Sequence, residues 1–233
     1  TALLQAEGID HIVFVPFTRD FSMLSAEEYI HDFLLKMFNP SKIIIGYDHK
    51  FGHSREGDIH LLRKLVPSHV SIIEIEQQLV DNAGVSSTKI RKALMDGDVI
   101  AAAHMLERHY SYEGTVVKGD GIGRKFGYPT ANIKVNYSDI LIPGIGVYAV
   151  LLTVDGVEYK GMMSIGVRPT INDKNIVSVE VNIFDFSDAI YGKTVKVTFI
   201  KRTRGEKKFD SFNDLIEAIK QDEIEIRAVL ASY

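Results

Sequence analysis

Residues 114–132 read GTVVKGDGIGRKFGYPTAN: five glycines and three basic side chains, closed by Pro-Thr-Ala-Asn. Glycines let a backbone turn tightly and approach a ligand closely. Backbone N–H groups in such a loop cradle phosphate oxygens, and neighbouring Lys or Arg side chains add charge. The hydroxyl of Thr130 and the amide oxygen of Asn132 are hard oxygen donors of the kind that suit Mg²⁺ carried on a nucleotide. The stretch has the composition of a phosphoryl-transfer loop on a β scaffold. A glycine-rich hairpin followed by an ordinary turn has the same glycines, and it is the PTAN ending that separates the two. The spacing is neither a P-loop, because G-x-x-x-x-G-K-[ST] is absent, nor the dinucleotide fingerprint, because Gly119, Gly121, Gly123 and Gly127 miss G-x-G-x-x-G.

Downstream, the signals are almost all β. Strands are expected at Tyr112–Lys118, Val147–Val154, Val157–Ile165, Val177–Phe184 and Thr194–Phe199, with turns at Pro143-Gly144, Asp155-Gly156 and Tyr191-Gly192. Asp155-Gly156 between two alternating runs is a strong hairpin signal. Five or more strands so spaced predict a small barrel or sandwich. Leu215, Ile216, Ile219, Ile226, Val229 and Leu230 give the closing stretch 211–231 an apolar helical stripe for packing on it.

Upstream, strand and helix signals alternate. His11–Phe17, Lys42–Gly46 and Val70–Glu76 are short β-branched runs of the kind buried on both faces of a parallel sheet. Between the first two, Ser25 to Met37 reads as a helix, with Ser25 as N-cap and Glu28 as its capping-box partner. Further helices are expected at Asp58–Leu65, at Ser87–Leu94 and from Asp98 through Leu106. The pattern is an open α/β sheet, which binds ligands beyond the carboxyl ends of its strands. The change of grammar near 107–112 divides the chain into modules 1–108 and 109–233.

The composition is that of a globular protein: 233 residues, 45% hydrophobic, 25% charged. A formal charge of -4 argues against bulk nucleic-acid binding. The absence of cysteine excludes disulfide frameworks and thiolate metal sites. No apolar run reaches membrane-spanning length and no signal peptide is visible, so a cytoplasmic protein without a membrane partner is expected. Nothing in the sequence sets an oligomeric state. The eight histidines are scattered without H-E-x-x-H or a zinc spacing.

Several residues are candidates for chemistry. In SVEVNIFDF, strand alternation puts Ser178, Glu180 and Asn182 on one face and Val179, Val181 and Ile183 on the other. Glu180 is then either a solvated strand carboxylate or a general base accepting the proton of an alcohol. Arg168-Pro169-Thr170 and Arg202–Arg204 are basic loops that could contact an anion. Asp48 follows a buried strand in GYDHKFG, at the end where an open sheet binds ligand. Ser87 and Thr88 stand at a helix start, a natural anion site, and Arg91 lies one turn further in. An ordinary Ser/Thr cap with an exposed Arg reads the same way.

Together these segments resemble the bacterial bifunctional riboflavin kinase/FAD synthetases, in order and over essentially the whole chain. G-x-D-x-x-F-G at Gly46–Gly52 and S-S-T-K-I-R at Ser86–Arg91 resemble the adenylyltransferase module. GTVVKGDGIGRKFGYPTAN, GVYAV, SIGVRPT, VEVNIFDF and RGEKKFDSFNDLIEAI resemble the kinase module. The resemblance implies a nucleotidyltransferase-like open sheet followed by a riboflavin kinase-like antiparallel barrel and a terminal helix. It implies Thr130 and Asn132 as ligands of Mg²⁺ on ATP, with Glu180 as the base for the riboflavin 5′-hydroxyl. Lys118, Gly119, Gly121, Gly123, Lys125 and Gly127 become the flap over ATP, and Arg204 and Phe209 flavin contacts. Asp48, Ser87, Thr88 and Arg91 become nucleotide contacts of the FMN-adenylylating module. Asn182 stands where the family often has His, and His49 where it often has an aromatic residue.

The family's H-x-G-H loop is absent from these 233 residues, and the chain begins at Thr1 rather than Met. The expectation is a chain missing its first strand–helix unit, making FMN but not FAD. Two other readings remain open: a non-catalytic flavin-binding barrel, and a nucleotidyltransferase of other specificity with a β accessory domain.

Overall fold

In the computed structural model, residues 2–77, 79–80, 83–119, 121, 123–137, 139–168 and 176–233 are described. The chain forms two compact units, Thr1–Gln78 and Leu79–Tyr233. The packing boundary therefore lies on the N-terminal side of the change in sequence grammar near residue 108.

The first unit begins with the short helices α1 (Ala2–Ala6) and α2 (Arg19–Ser22). A continuous helical run then comprises α3 (Ala26–Glu28), a π-helical stretch Tyr29–Leu35 and α4 (Lys36–Phe38). The expected capping box is present, with the Ser25 hydroxyl accepting from the Glu28 N–H at 3.2 Å and the Glu28 carboxylate accepting from the Ser25 N–H at 2.8 Å. Donation to the carboxylate by the Ser25 N–H, and then by the Ser25 hydroxyl, holds the Glu28 carboxyl below its ordinary pKa. Strand β1 (Lys42–Gly46) leads to α5 (Ile59–Leu65), capped by Asp58, and β2 (Ser71–Ile75) pairs parallel with β1.

Two expectations for this unit need correction. His11–Phe17 forms no strand of any sheet among the described residues; Pro16 has no N–H to donate to a ladder, and Phe14 and Phe17 are exposed. The two paired strands are buried on one face only. Ile45 meets a core of Ile30, Phe51, Ile59 and Leu62, whereas Ile44 is 63% exposed. Apolar β-branched composition fixes strand character, but a second covering layer depends on neighbours that a local run does not encode.

The second unit opens with the two-residue strands β3 (Leu79–Val80) and β4 (Ala83–Gly84). Helices α6 (Ser87–Met95) and α7 (Val99–Leu106) follow, capped by Ser86 and Asp98. Six strands then close a barrel: β5 (Ser111–Val117), β6 (Ala131–Val135), β7 (Gly146–Val154), β8 (Val157–Arg168), β9 (Ile176–Ile183) and β10 (Thr194–Arg204). Their order around the barrel is β10-β5-β6-β9-β8-β7, antiparallel throughout. The β7–β8 hairpin turns on Asp155 (φ 50°) and Gly156 (φ 82°), the mirror-image turn that Asp-Gly signals.

Strand β7 is buried on both faces for a reason visible in its alternation. Tyr148, Val150, Leu152 and Val154 enter the barrel interior with Phe199, Val197 and Val181. Val147, Ala149 and Leu151 form an outer face with Ile200 and Met162, covered by Ile226 of α8 (Phe212–Val229) and by Leu230 just beyond it. Ile226 and Leu230 are fully buried, worth about 2 kcal/mol each in apolar surface removed from water. Helices α6 and α7 pack on the interior cluster through Leu94, Val99 and Ala102. Arg202 ties them on by donating to the carbonyls of Asp96 and Ile145.

Candidate active site

Thr130 stands immediately before β6, and β6 pairs with β9 over only two positions, Ala131↔Val181 and Asn132↔Glu180. Glu180 is half-buried on the polar face that alternation assigns it. Its carboxylate accepts a hydrogen bond from the Thr130 hydroxyl at 3.1 Å. Asn132 lies opposite Glu180 in the ladder, so the barrel register brings Glu180 to Asn132 and to Thr130, which stands 50 positions earlier in the sequence.

The glycine loop is built onto this trio. A Cβ at Gly119 would stand 2.0 Å from Asn132 Nδ2, so only glycine lets the loop pass over that amide. A Cβ at Gly123 would stand 2.2 Å from the Tyr128 carbonyl oxygen. Here the turn Gly123–Phe126 folds back, and the Tyr128 N–H donates to the Gly123 carbonyl at 2.9 Å. Lys118 is exposed at the end of β5, and Gly127 is exposed at the end of the turn. The Lys125 side chain lies outside the described residues, as do Pro169 and Thr170.

Two cavities open at the trio. The larger, about 640 Å³, is lined by Glu180, Asn182, Ser164 and Met162 on the barrel wall. Gly121 and Gly123 of the loop line it too, as do Tyr128 and Thr130, and Arg204, Lys207, Phe209, Leu215, Ile219 and Asp222 near the terminal helix. The smaller, about 460 Å³, is lined by Val116, Arg124, Thr130, Val181, Phe186, Asp188, Ile190 and Tyr191 among others. Thr130 lines both. Arg124 and the 186–191 segment were not legible as site residues, because they belong to turns whose partner surface is assembled only by barrel closure. Asn182 was on the correct face by alternation but carried no chemical signal of its own.

Arg204 and Phe209 line the larger cavity, with the guanidinium 5.8 Å from the ring centroid and the Lys207 ammonium 5.6 Å from it. Arg204 is also committed elsewhere. Its Nε and Nη2 donate to the two carboxylate oxygens of the buried Asp222 at 2.8 and 2.7 Å. The guanidinium thus fastens α8 to the cavity wall as well as lining it. Burial, and then the charge and hydrogen bond of Glu223, push the Tyr128 phenol above its ordinary pKa, so it stays protonated across the neutral range.

The donor set fits a divalent cation that arrives on a nucleotide. The Thr130 hydroxyl, the Asn132 amide oxygen and the Glu180 carboxylate are hard oxygen donors on residues that the β6–β9 register makes neighbours. Among the described residues, no group of three His, Cys, Asp or Glu gathers to make an all-protein cage.

The nucleotidyltransferase candidates divide between the units. Asp48 is exposed in the turn after β1 in the first. Ser87, Thr88 and Arg91 are exposed on the first turns of α6 in the second, which Ser86 caps.

Comparison with known proteins accords with this arrangement. A riboflavin kinase family model matches residues 106–230, and an FAD synthetase family model matches residues 1–89. A bifunctional riboflavin kinase/FMN adenylyltransferase of Listeria monocytogenes is 36% identical over 96% of this chain and 71% of its own length. The chain belongs to the bifunctional riboflavin kinase/FMN adenylyltransferase family. The Escherichia coli K12 member of that family is 34% identical over 94% of this chain and 70% of its own length. A solved structure named as a macrolide-efflux protein from Streptococcus pneumoniae superposes with a TM-score of 0.89. It is 33% identical and covers 96% of this chain and 72% of that one. Both transferase modules of the family are therefore represented. Among the described residues, no helix is long and apolar enough to cross a membrane.

Proposed function

We propose that the barrel unit transfers the γ-phosphoryl group of ATP to the 5′-hydroxyl of riboflavin, giving FMN and ADP. The observation that carries this reading is Thr130, which lines both cavities and is hydrogen-bonded to the carboxylate of one of them. Two substrates that exchange a phosphoryl group need separate pockets meeting at one point, with a base on the acceptor's side.

The larger cavity, with an aromatic ring, apolar walls and Glu180, suits the flavin. The smaller cavity, with Arg124 and apolar walls, suits the nucleotide, whose phosphates would then lie under the loop containing Gly119, Gly121, Gly123 and Gly127. Glu180 takes the proton of the 5′-hydroxyl as its oxygen attacks the γ-phosphorus, and the bond to the ADP oxygen breaks. Thr130 and Asn132 would hold Mg²⁺ on the ATP phosphates, where the cation offsets the negative charge that repels an incoming oxygen. Arg204 and Phe209 close the flavin side, and the glycine loop excludes water from above.

In this reading residues 109–233 form the kinase module and residues 1–108 belong to the FMN-adenylylating module. There, Asp48, Ser87, Thr88 and Arg91 contact nucleotide. These 233 residues contain no H-x-G-H loop to stabilise a transferring adenylyl group, so FMN is the expected end product of the chain as it stands. The test is chromatography of flavins after incubation with riboflavin, ATP and Mg²⁺. FMN without FAD, with stoichiometric ADP, is the expected result. Flavin binding without Mg²⁺-dependent ADP release would reject the kinase, and substantial FAD would reject the restriction to one step.

A further inference from the structure

The β6–β9 ladder is the shortest pairing in the barrel, two residues against five to nine elsewhere except the four of β5–β6. It stops at Ala131↔Val181, so the next positions in register are Thr130 and Asn182. Pro129 comes just before. It has no N–H for a ladder, and its carbonyl needs a donor. That donor is the Asn182 side-chain amide, at 2.7 Å. Asn182 is one of two buried polar or charged residues among those described, at 8% exposure. Its side chain shares the polar face of Glu180, two residues away, and lines the same cavity.

We infer that Asn182 is a positioning residue for phosphoryl transfer: by holding the Pro129 carbonyl, it sets the Thr130 hydroxyl against Glu180. This rests on the kinase reading given above. The physical argument is one of constraint. Thr130 lies outside the ladder, and its approach to Glu180 is fixed from one side by Ala131 and from the other by Pro129. The main chain secures the first. The Asn182 side chain, reaching back from β9, secures the second. The same bond orders the exit of the glycine loop, since Pro129 directly follows Tyr128, whose N–H closes the turn at Gly123. The residue at this position must therefore carry a donor of suitable reach. Asn supplies it through Nδ2, and an imidazole N–H would supply it equally.

The decisive substitution is Asn182→Asp, nearly equal in volume, which replaces the donor by an acceptor facing the Pro129 carbonyl. The expected result is a fall in kcat of about ten- to a hundredfold, the scale of a small misplacement at a reacting centre. Riboflavin affinity, read by flavin fluorescence in the absence of ATP, should change by less than about threefold, since uniform binding is not what is lost. Asn182→His should restore most of the turnover. In a Thr130→Ala background, Asn182→Asp should add little, because one residue acts through the other.

Amide exchange over residues 128–132 reads the positioning without turnover and should accelerate in Asn182→Asp alone. Unchanged exchange, or kcat within about twofold of wild type, overturns the inference. So does a flavin affinity that falls in step with kcat, or full additivity with Thr130→Ala. If the aspartate variant fails to fold, Asn182→His and Asn182→Leu decide, and equal turnover in those two overturns it. A wild-type chain that makes no FMN overturns the kinase reading instead, while the exchange measurement still tests the bond.

Discussion

The Thr130 hydroxyl donates to the Glu180 carboxylate at 3.1 Å, joining the residue that precedes β6 to one in the middle of β9. The carboxylate so held also lines the 640 Å³ cavity. Glu180→Gln keeps an oxygen to accept from Thr130 but cannot take a proton. Its turnover in FMN formation should fall by about 10²–10⁴-fold, the range that a positioned base contributes. Riboflavin and ATP binding should be nearly unchanged. Near-normal FMN production by Glu180→Gln would remove Glu180 from the role.

The pair between Arg204 and Asp222 should behave differently, because it is structural as well as local to the cavity. Asp222 is buried, its side chain 8% exposed against 28% for Arg204. Arg204→Ala strands that carboxylate and should cost about 3 kcal/mol of unfolding free energy, the lower end for breaking a buried pair given the partial exposure of Arg204. Urea denaturation checks this. The double variant Arg204→Met/Asp222→Leu should recover most of the loss, while its affinity for riboflavin stays weakened by the lost guanidinium. Recovery of affinity along with stability would mean that Arg204 only fastens α8.

The contrast between those two residues shows what a linear sequence can and cannot convey. Alternation along SVEVNIFDF put Glu180 on the correct face because strand geometry is local. The Asp-Gly hairpin, the Ser25 capping box and the apolar stripe of α8 were legible for the same reason. β6 was not, because ANIKV shares its first two residues with PTAN and its ladder partners lie about 20 and 50 residues away. The pairing of Arg204 was not legible, because its partner Asp222 is one of many charges on the terminal helix. The second cavity was invisible, since it exists only where the 186–191 segment closes over β5 and β6. On the α/β side, β1 and β2 were legible as strands, but the number of faces they bury depended on neighbours.

Gly119 offers a sharper probe of the loop than a charged residue would. An added Cβ must displace the Asn132 amide, whose Nδ2 would be 2.0 Å away. Gly119→Ala should therefore act through Asn132, lowering kcat by about tenfold or more while leaving the melting temperature within a few degrees. Gly121→Ala is the comparison, since a Cβ there meets nothing within 4 Å and strains only a backbone at φ 65°. Equal losses in the two variants would attribute the effect to loop stiffness rather than to Asn132.

The last expectation concerns pH and the outer latch of α8. Arg227 donates to both carboxylate oxygens of Asp185, at 2.9 and 3.1 Å, and to Glu223 at 2.8 Å, while its guanidinium lies 4.3 Å from the Phe184 ring centroid. The hydrogen bond from Arg227, and then its charge, hold the Asp185 carboxyl below its ordinary value of 3.8. A carboxyl depressed in the folded state contributes stability at pH values above its unfolded pKa. That contribution disappears as the pH falls through the folded pKa. Asp185→Asn should accordingly melt below wild type at pH 7, by a small margin because the pair is exposed. The gap should persist down to the ordinary carboxyl value of 3.8 and close only in more acidic solution, where the wild-type carboxyl is protonated as well. Thermal melts of both proteins across that range give the answer, and a gap that stays constant into acid would mean that Asp185 acts by its backbone conformation, at φ 55°, rather than by its charge.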